Sequence, residues 1–263
     1  MAEDVAVVTG GAGGLGRAFV AELRSAGYDV VPVDITGSDR VLDVTDAEAC
    51  RALADEVRPA VWVNNAGITG AGDLLDHSDE YVRRLVDVNL MGVINGTRAA
   101  LGPMTAASRG SILNIASLSG WAPTPHLGVY SATKHGVRAF SVATSAEVRS
   151  SGVSVQCLLP DGIRTPMVDP TKPEQLMSFT GKRLLEPDEV AAAGMRLLAS
   201  NRIVASVPRT RSATVPLLGL VPRLAFRLLP FIERRARRNR ELQERSLVTR
   251  GGGDATTPGA SAR

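Results

Sequence analysis

The opening of the chain restricts its fold more than any other stretch. Val5-Ala6-Val7-Val8-Thr9 is a short apolar run, and Gly10-Gly11-Ala12-Gly13-Gly14-Leu15-Gly16 follows at once. Arg17 to Ala26 then places Phe19, Val20 and Leu23 on one helical face. Strand, glycine loop and helix in that order bring bare backbone and a helix N-terminus to one point, which suits a pyrophosphate. Glycine-rich loops also serve as plain turns, so the flanking strand and helix carry the dinucleotide reading. Gly27-Tyr28 turns the chain into a second apolar run, Asp29-Val30-Val31-Pro32-Val33, which ends at Asp34. An acid about 20 residues past such a loop is placed for the adenosine ribose hydroxyls. Its carboxylate repels a 2′-phosphate, which favours NAD over NADP. No Lys or Arg lies in the loop before Gly14, a weaker argument in the same direction.

The same alternation continues. Val41-Leu42 precedes Asp43-Val44, and Asp46 is placed to cap a helix over Ala47–Val57. Val61-Trp62-Val63 is broken by Asn64-Asn65-Ala66-Gly67, small and amide residues that suit close backbone approach or a plain turn. Ser78 caps a long helix expected from Asp79 to about Ala107. Asn89 lies inside that helix, where Asn is unfavourable. Taken alone it reads as exposed, or as bending the helix or holding a water. Further runs at Ser111–Ala116, Val153–Leu159 and Ile203–Val207 read as strands, with helices through Tyr130 to about Ser150 and from Pro187 to about Ser200. The alternation predicts an α/β protein with a Rossmann-type, doubly wound parallel sheet of about seven strands flanked by helices. Ligands in such sheets lie outside the strand C-terminal ends. The glycine loop, Asp34, Asn64, Ser117 and Pro160 all follow strands on that edge. One domain is expected over 1–208, a helical extension over 209–248 and a disordered tail over 249–263.

Tyr130 and Lys134 are four residues apart, one helical turn on one face. A phenol beside an ammonium is a tunable acid and base, because the positive charge favours phenolate and lowers the Tyr pKa. A hydroxyl such as that of Ser117 can hold a carbonyl oxygen next to it. That is equipment for moving a proton on and off an alcohol. The net charge of +3 gives no case for nucleic acid. Cys50 and Cys157 are the only cysteines, too few for a disulfide framework and suited to a reducing compartment. Cys157, in an apolar strand, reads as core rather than nucleophile. His77, His126 and His135 share no ligand spacing with the cysteines, so no metal is expected. The residues before the first strand are too few and too acidic for a signal peptide, and a cytoplasmic location is expected.

With those residues in place, the chain resembles the short-chain dehydrogenase/reductase family over roughly residues 4–206. Thr9-Gly10-x-x-x-Gly14-x-Gly16 matches its glycine motif and Asn64-Asn65-Ala66-Gly67 its second motif. Ser117, Tyr130 and Lys134 match its catalytic triad, with the family's gap of thirteen between Ser and Tyr, and Asn89 completes a tetrad. The resemblance implies that Gly10, Gly14, Leu15 and Gly16 cradle the cofactor and that Asp34 takes the adenosine ribose. It implies that Asp43 and Val44 contact adenine and that Asn65, Ala66 and Gly67 line the adenosine side. Lys134 would bind the nicotinamide ribose, and Asn89 would hold a water in a proton relay. Pro160, Ile163 and Thr165 would meet the carboxamide. Asp161 stands where the family usually has Gly, so a reshaped loop or an added charge is expected there. The implied activity is interconversion of an alcohol and a carbonyl, and family members commonly form homodimers or homotetramers.

Residues 160–186 include a Pro- and Thr-rich connection that the resemblance makes the substrate loop. His126 lies over the site, either as a substrate contact or as an exposed loop residue. Past Pro222, Arg223, Arg227, Arg234 and Arg238 form one helical stripe, opposite Leu224, Leu228, Leu229, Phe231 and Ile232, with a kink expected at Pro230. Two readings of 214–246 compete: packing over the cleft or a partner subunit, or peripheral contact with an anionic membrane. Either suits a hydrophobic substrate such as a steroid, retinoid or long-chain alcohol. Two further functions use the same fold: a non-catalytic NAD-binding regulator, and a dehydratase or epimerase. A regulator needs the glycine loop and Asp34 but not the tetrad, so catalysis is the expectation.

Overall fold

The Val-rich runs become strands covered on both faces, as a parallel sheet between helix layers requires. The computed structural model describes residues 4–69, 71–165, 183–211 and 214–220, and single helical positions at 223, 227, 230, 231, 234 and 238. The strands are β1 (Val5–Thr9), β2 (Asp29–Asp34), β3 (Arg40–Val41), β4 (Val61–Asn64), β5 (Gly110–Ile115), β6 (Val153–Pro160) and β7 (Val204–Val207). They form one sheet in the order β3-β2-β1-β4-β5-β6-β7. Every neighbouring pair is parallel. The winding reverses between β1 and β4, which opens a crevice at their C-terminal ends.

Strand periodicity divides the core. Ala6, Val8, Val61, Val63 and Leu113 face one side and pack with Phe19, Leu23, Val190 and Leu197. Those partners come from α1 (Gly14–Ser25) and α6 (Pro187–Leu198). Val7, Trp62, Ile112 and Val155 face the other side, against Leu53, Ala99 and Met104. These belong to α2 (Ala47–Val57) and α4 (Gly92–Ala106). Next to them Val137, on α5 (Gly128–Glu147), packs on Cys157 and Leu159. Local signals hold. Asp46 caps α2 by accepting the N–H groups of Glu48 and Ala49, and Pro187 takes the first position of α6.

The long helix expected over 79–107 is not continuous. Ser78 caps α3 (Asp79–Val86), a π-helical turn over Asp87–Met91 follows, and α4 begins at Gly92. Asn89 sits in that turn fully buried, not exposed. After β7 a short α7 (Thr214–Leu220) puts Val215 against the cluster around α5 and β6. Arg223, Arg227, Arg234 and Arg238 are helical and exposed. Among the described residues no helix is long and apolar enough to cross a membrane. Residues 166–182 of the substrate loop expected over 160–186, the Leu224, Leu228, Leu229 and Ile232 face and the tail over 249–263 lie outside the described residues.

Candidate active site

The crevice is built by the ends of β1 and β4. The Thr9 hydroxyl donates to the Val63 carbonyl (3.3 Å) and accepts the N–H groups of Asn65 and Ala66 (both 3.0 Å). Asn65 Nδ2 donates back to the carbonyls of Thr9 (3.0 Å) and Gly10 (3.1 Å). Gly10 has φ +66°, and a Cβ there would lie 2.9 Å from the Ala66 Cα. A Cβ on Gly16 would lie 2.0 Å from the Gly10 carbonyl oxygen, so the loop closes on itself only with glycine there. Gly13 precedes α1 without a side-chain cap, while Leu15 is buried and anchors the helix. The first-turn N–H groups are thus left to an external anion. Asp34, ending β2, reaches over this loop: its Oδ2 accepts the Ala12 N–H (3.1 Å) and its Oδ1 the Ile35 N–H (2.8 Å). A dinucleotide fits this donor set, with phosphates at the helix start and hydroxyls at the carboxylate. Asp43 is exposed and accepts the Thr45 N–H (2.9 Å) and hydroxyl (2.8 Å), while Val44 is buried.

The second half of the site lies past β5. Ser117 caps a 3-10 turn over Leu118–Gly120, its hydroxyl accepting the Ser119 N–H at 3.2 Å. Tyr130 and Lys134 occupy the start of α5, and the ammonium lies 5.6 Å from the phenol ring centroid, so the four-residue spacing does bring them together. Lys134 Nζ donates to the Ile115 carbonyl at 3.0 Å. A Cβ on Gly67 would lie 3.2 Å from Asn89 Oδ1 and 3.7 Å from Lys134 Nζ. The bare backbone of Gly67 therefore joins the crevice to the Tyr–Lys pair. The Asn89 amide is committed to backbone: Oδ1 accepts the Ile68 N–H and Nδ2 donates to the Ile68 carbonyl, both at 2.8 Å.

Burial, not the ammonium, dominates the phenol. It pushes the Tyr130 pKa up, and the hydrogen bond with Ser117 pulls it part of the way back. The expectation that the neighbouring ammonium lowers the Tyr130 pKa is thus outweighed here by burial. Lys134 itself is pushed down to about 8 by burial.

Residues 4–176 match the model of the short chain dehydrogenase family. The chain belongs to that family. A 3-alpha-(or 20-beta)-hydroxysteroid dehydrogenase of Mycobacterium tuberculosis is 36% identical over 206 residues, covering 71% of this chain and 79% of the relative. A 2,5-dichloro-2,5-cyclohexadiene-1,4-diol dehydrogenase of Sphingobium indicum is 33% identical over 227 residues, covering 76% and 90%. The solved structure of a levodione reductase superposes with a TM-score of 0.72 at 25% identity, covering 80% of this chain and 98% of that one. This short chain dehydrogenase is an oxidoreductase acting on CH–OH groups.

Other residues of the dehydrogenase find quieter places. His126 is exposed, with Nδ1 2.8 Å from Asp73 Oδ1. Cys157 is buried and its thiol is pushed up to about 12, which suits core and not a nucleophile. Among the described residues no three potential ligands cluster for a metal. Past β6, Pro160 is buried, Ile163 bridges Leu185, and the Thr165 N–H donates to the Ile163 carbonyl at 2.9 Å. Asp161 does not leave an added charge open to solvent: its Oδ2 lies 2.9 Å from Arg211 Nη1. Sequence reasoning missed a buried amide network. Asn64 Nδ2 donates to Asn114 Oδ1 (2.8 Å) and Thr97 Oγ1 (3.0 Å), and Asn114 Nδ2 donates to Ser141 Oγ (2.9 Å). Asn64 thus ties β4, β5, α4 and α5 together beneath the site.

Proposed function

We propose that this dehydrogenase uses NAD to interconvert an alcohol, secondary or primary, and its carbonyl on a hydrophobic substrate such as a steroid, retinoid or long-chain alcohol. The meeting of Ser117, Tyr130 and Lys134 beside Gly67 carries the reading. In it, Gly10, Gly14, Leu15 and Gly16 cradle the pyrophosphate. Asp34 binds the adenosine ribose, Asp43 and Val44 border adenine, and Asn65, Ala66 and Gly67 line that half. Lys134 holds the nicotinamide ribose, and Pro160, Ile163 and Thr165 hold the carboxamide. Asn89, pinned to Ile68, keeps the segment after Gly67 against the lysine.

When bound, the nicotinamide supplies the hydride acceptor or donor. The Ser117 hydroxyl donates a hydrogen bond to the reacting oxygen, worth most as negative charge develops there. In oxidation the Tyr130 phenolate takes the alcohol proton; in reduction the phenol gives it back. A phenol raised by burial is a poor base at neutral pH, so the charges of Lys134 and of the oxidised cofactor together must lower it. Two observations support the finer points. The Asp34 carboxylate over the glycine loop would meet a 2′-phosphate with repulsion. The hydroxysteroid relative at 36% identity supports a hydrophobic alcohol.

A panel of hydroxysteroids, retinol and long-chain secondary alcohols, each with NAD and NADP, tests the reading by nicotinamide absorbance. Turnover is expected with NAD, at least about tenfold above NADP, and Tyr130→Phe should abolish it. Cofactor binding with no turnover on any member would favour the non-catalytic regulator, and turnover unchanged in Tyr130→Phe would remove Tyr130 as the acid and base.

A further inference from the structure

The loop after β6 begins with a carboxylate held from two directions. The Asp161 N–H donates to the Val207 carbonyl (2.8 Å) at the end of β7, and its Oδ2 meets Arg211 Nη1 at 2.9 Å. Arg211 closes a 3-10 turn over Arg209–Arg211, with its own N–H on the Pro208 carbonyl at 3.0 Å. The pair is largely out of water, with side chains 10% and 22% exposed for Asp161 and Arg211. On the other flank the Leu185 N–H donates to the Gly162 carbonyl (2.9 Å), and the Arg164 N–H donates to the Leu185 carbonyl (2.8 Å). Arg164 Nε also reaches Glu186 Oε1 at 2.9 Å. The start of this loop is therefore clamped, and the clamp on its β7 side is an ion pair whose cation comes from beyond the last strand. A carboxylate so placed is costly unless it is matched in charge and hydrogen-bonded.

We propose that Asp161 and Arg211 are a positioning pair for the loop Pro160–Thr165, and that Arg211 keeps this loop electrically neutral toward the nicotinamide end of the cofactor. The proposal rests on the reading above that this loop borders that end. Its consequence is electrostatic. The oxidised nicotinamide ring carries a positive charge and the reduced ring does not, so a net charge on the loop would separate the two forms. Removing the arginine's charge adds one negative charge to the loop and favours the oxidised cofactor. Removing the aspartate's charge does the reverse. A unit charge about 10 Å away at an effective dielectric of about 20 changes the ratio of affinities roughly tenfold.

The test is direct titration of NAD+ and NADH, by calorimetry at pH 8, into the wild-type chain, Arg211→Gln, Arg211→Lys, Asp161→Asn and the double variant Asp161→Asn with Arg211→Gln. The ratio Kd(NADH)/Kd(NAD+) is expected to rise about three- to tenfold in Arg211→Gln and to fall by a similar factor in Asp161→Asn. It should stay within about twofold in Arg211→Lys and in the double variant, which preserve the loop's net charge. If Arg211→Gln does not fold, Asp161→Asn set against the double variant still reads the sign. Wild-type binding with both cofactor forms moved equally in each variant, or not moved at all, overturns the proposal. A wild-type chain that binds neither form overturns the cofactor reading and this proposal with it.

Discussion

Lys134 sits where an ammonium is expensive. Its folded-state pKa is about 8 against an ordinary 10.5, because burial disfavours the charged form. Between those two pH values the unfolded chain holds a proton that the folded chain has released, so stability rises with pH across that window. Below it the burden is full and amounts to on the order of 3 kcal/mol at about 1.4 kcal/mol per unit. Lys134→Met is therefore expected to stabilise the protein at pH 7 by about 1–2 kcal/mol, after loss of one hydrogen bond to the Ile115 carbonyl. That advantage should shrink from pH 8 to pH 10 in urea denaturation, while turnover is lost. A variant less stable than wild type at pH 7 would show that the hydrogen bond outweighs the burial. Gly16 makes the opposite case, a residue with nothing to spare. Gly16→Ala puts a methyl 2.0 Å from the Gly10 carbonyl oxygen, so the loop must open. Cofactor affinity is expected to fall at least about tenfold, the equivalent of about 1.4 kcal/mol, measured by the same titration that reads the wild type.

At the scale of elements, what was legible in the sequence was local. The glycine loop, the caps Asp46 and Ser78 and the first-turn Pro187 each act within a few residues, and each is where the sequence places it. The π-helical turn over Asp87–Met91 is different. One inserted residue rotates everything after it by about 100°. Periodicity counted from Asp79 therefore loses its phase past the junction, and Asn89, which reads as exposed from its polar side chain alone, is buried by its pairing with Ile68. The amide network is hidden for a related reason. Asn64 and Asn114 are 50 residues apart, and their pairing exists only because β4 and β5 are neighbours in register. The phenol's raised pKa likewise reports burial, which no spacing reveals. The π turn carries its own prediction. Asn89→Ala leaves both the N–H and the carbonyl of Ile68 without their partners, at a cost of about 2–4 kcal/mol. Asn89→Asp should be no better, because its second oxygen would face the Ile68 carbonyl. Chemical denaturation of the two variants checks this, and a loss below about 0.5 kcal/mol in Asn89→Ala would mean that the pairing is not what holds the segment.

For the molecule as a whole, the sheet gathers its chemistry at one edge, and the chain then continues past β7 with a surface that the sheet does not need. Val215 is tucked in, but Leu217, Leu220 and Phe231 are 62%, 77% and 62% exposed. The exposed arginines at 223, 227, 234 and 238 fall within an arc of about 60° at 100° per residue. Exposed apolar and cationic groups on one extension suit the boundary of an anionic bilayer, where each basic residue contributes about 1 kcal/mol. The protein is expected to sediment with liposomes containing phosphatidylserine at low salt, not with purely zwitterionic ones, and to be released by about 0.5 M salt as the Debye length shrinks. A chain ending at Leu220 keeps Val215 in place but lacks all four arginines, and should stay in the supernatant. The competing outcome is as specific. If the full chain ignores anionic liposomes and the shortened chain instead loses a subunit in light scattering, the extension is covered by protein, and the exposed leucines belong to an interface between copies.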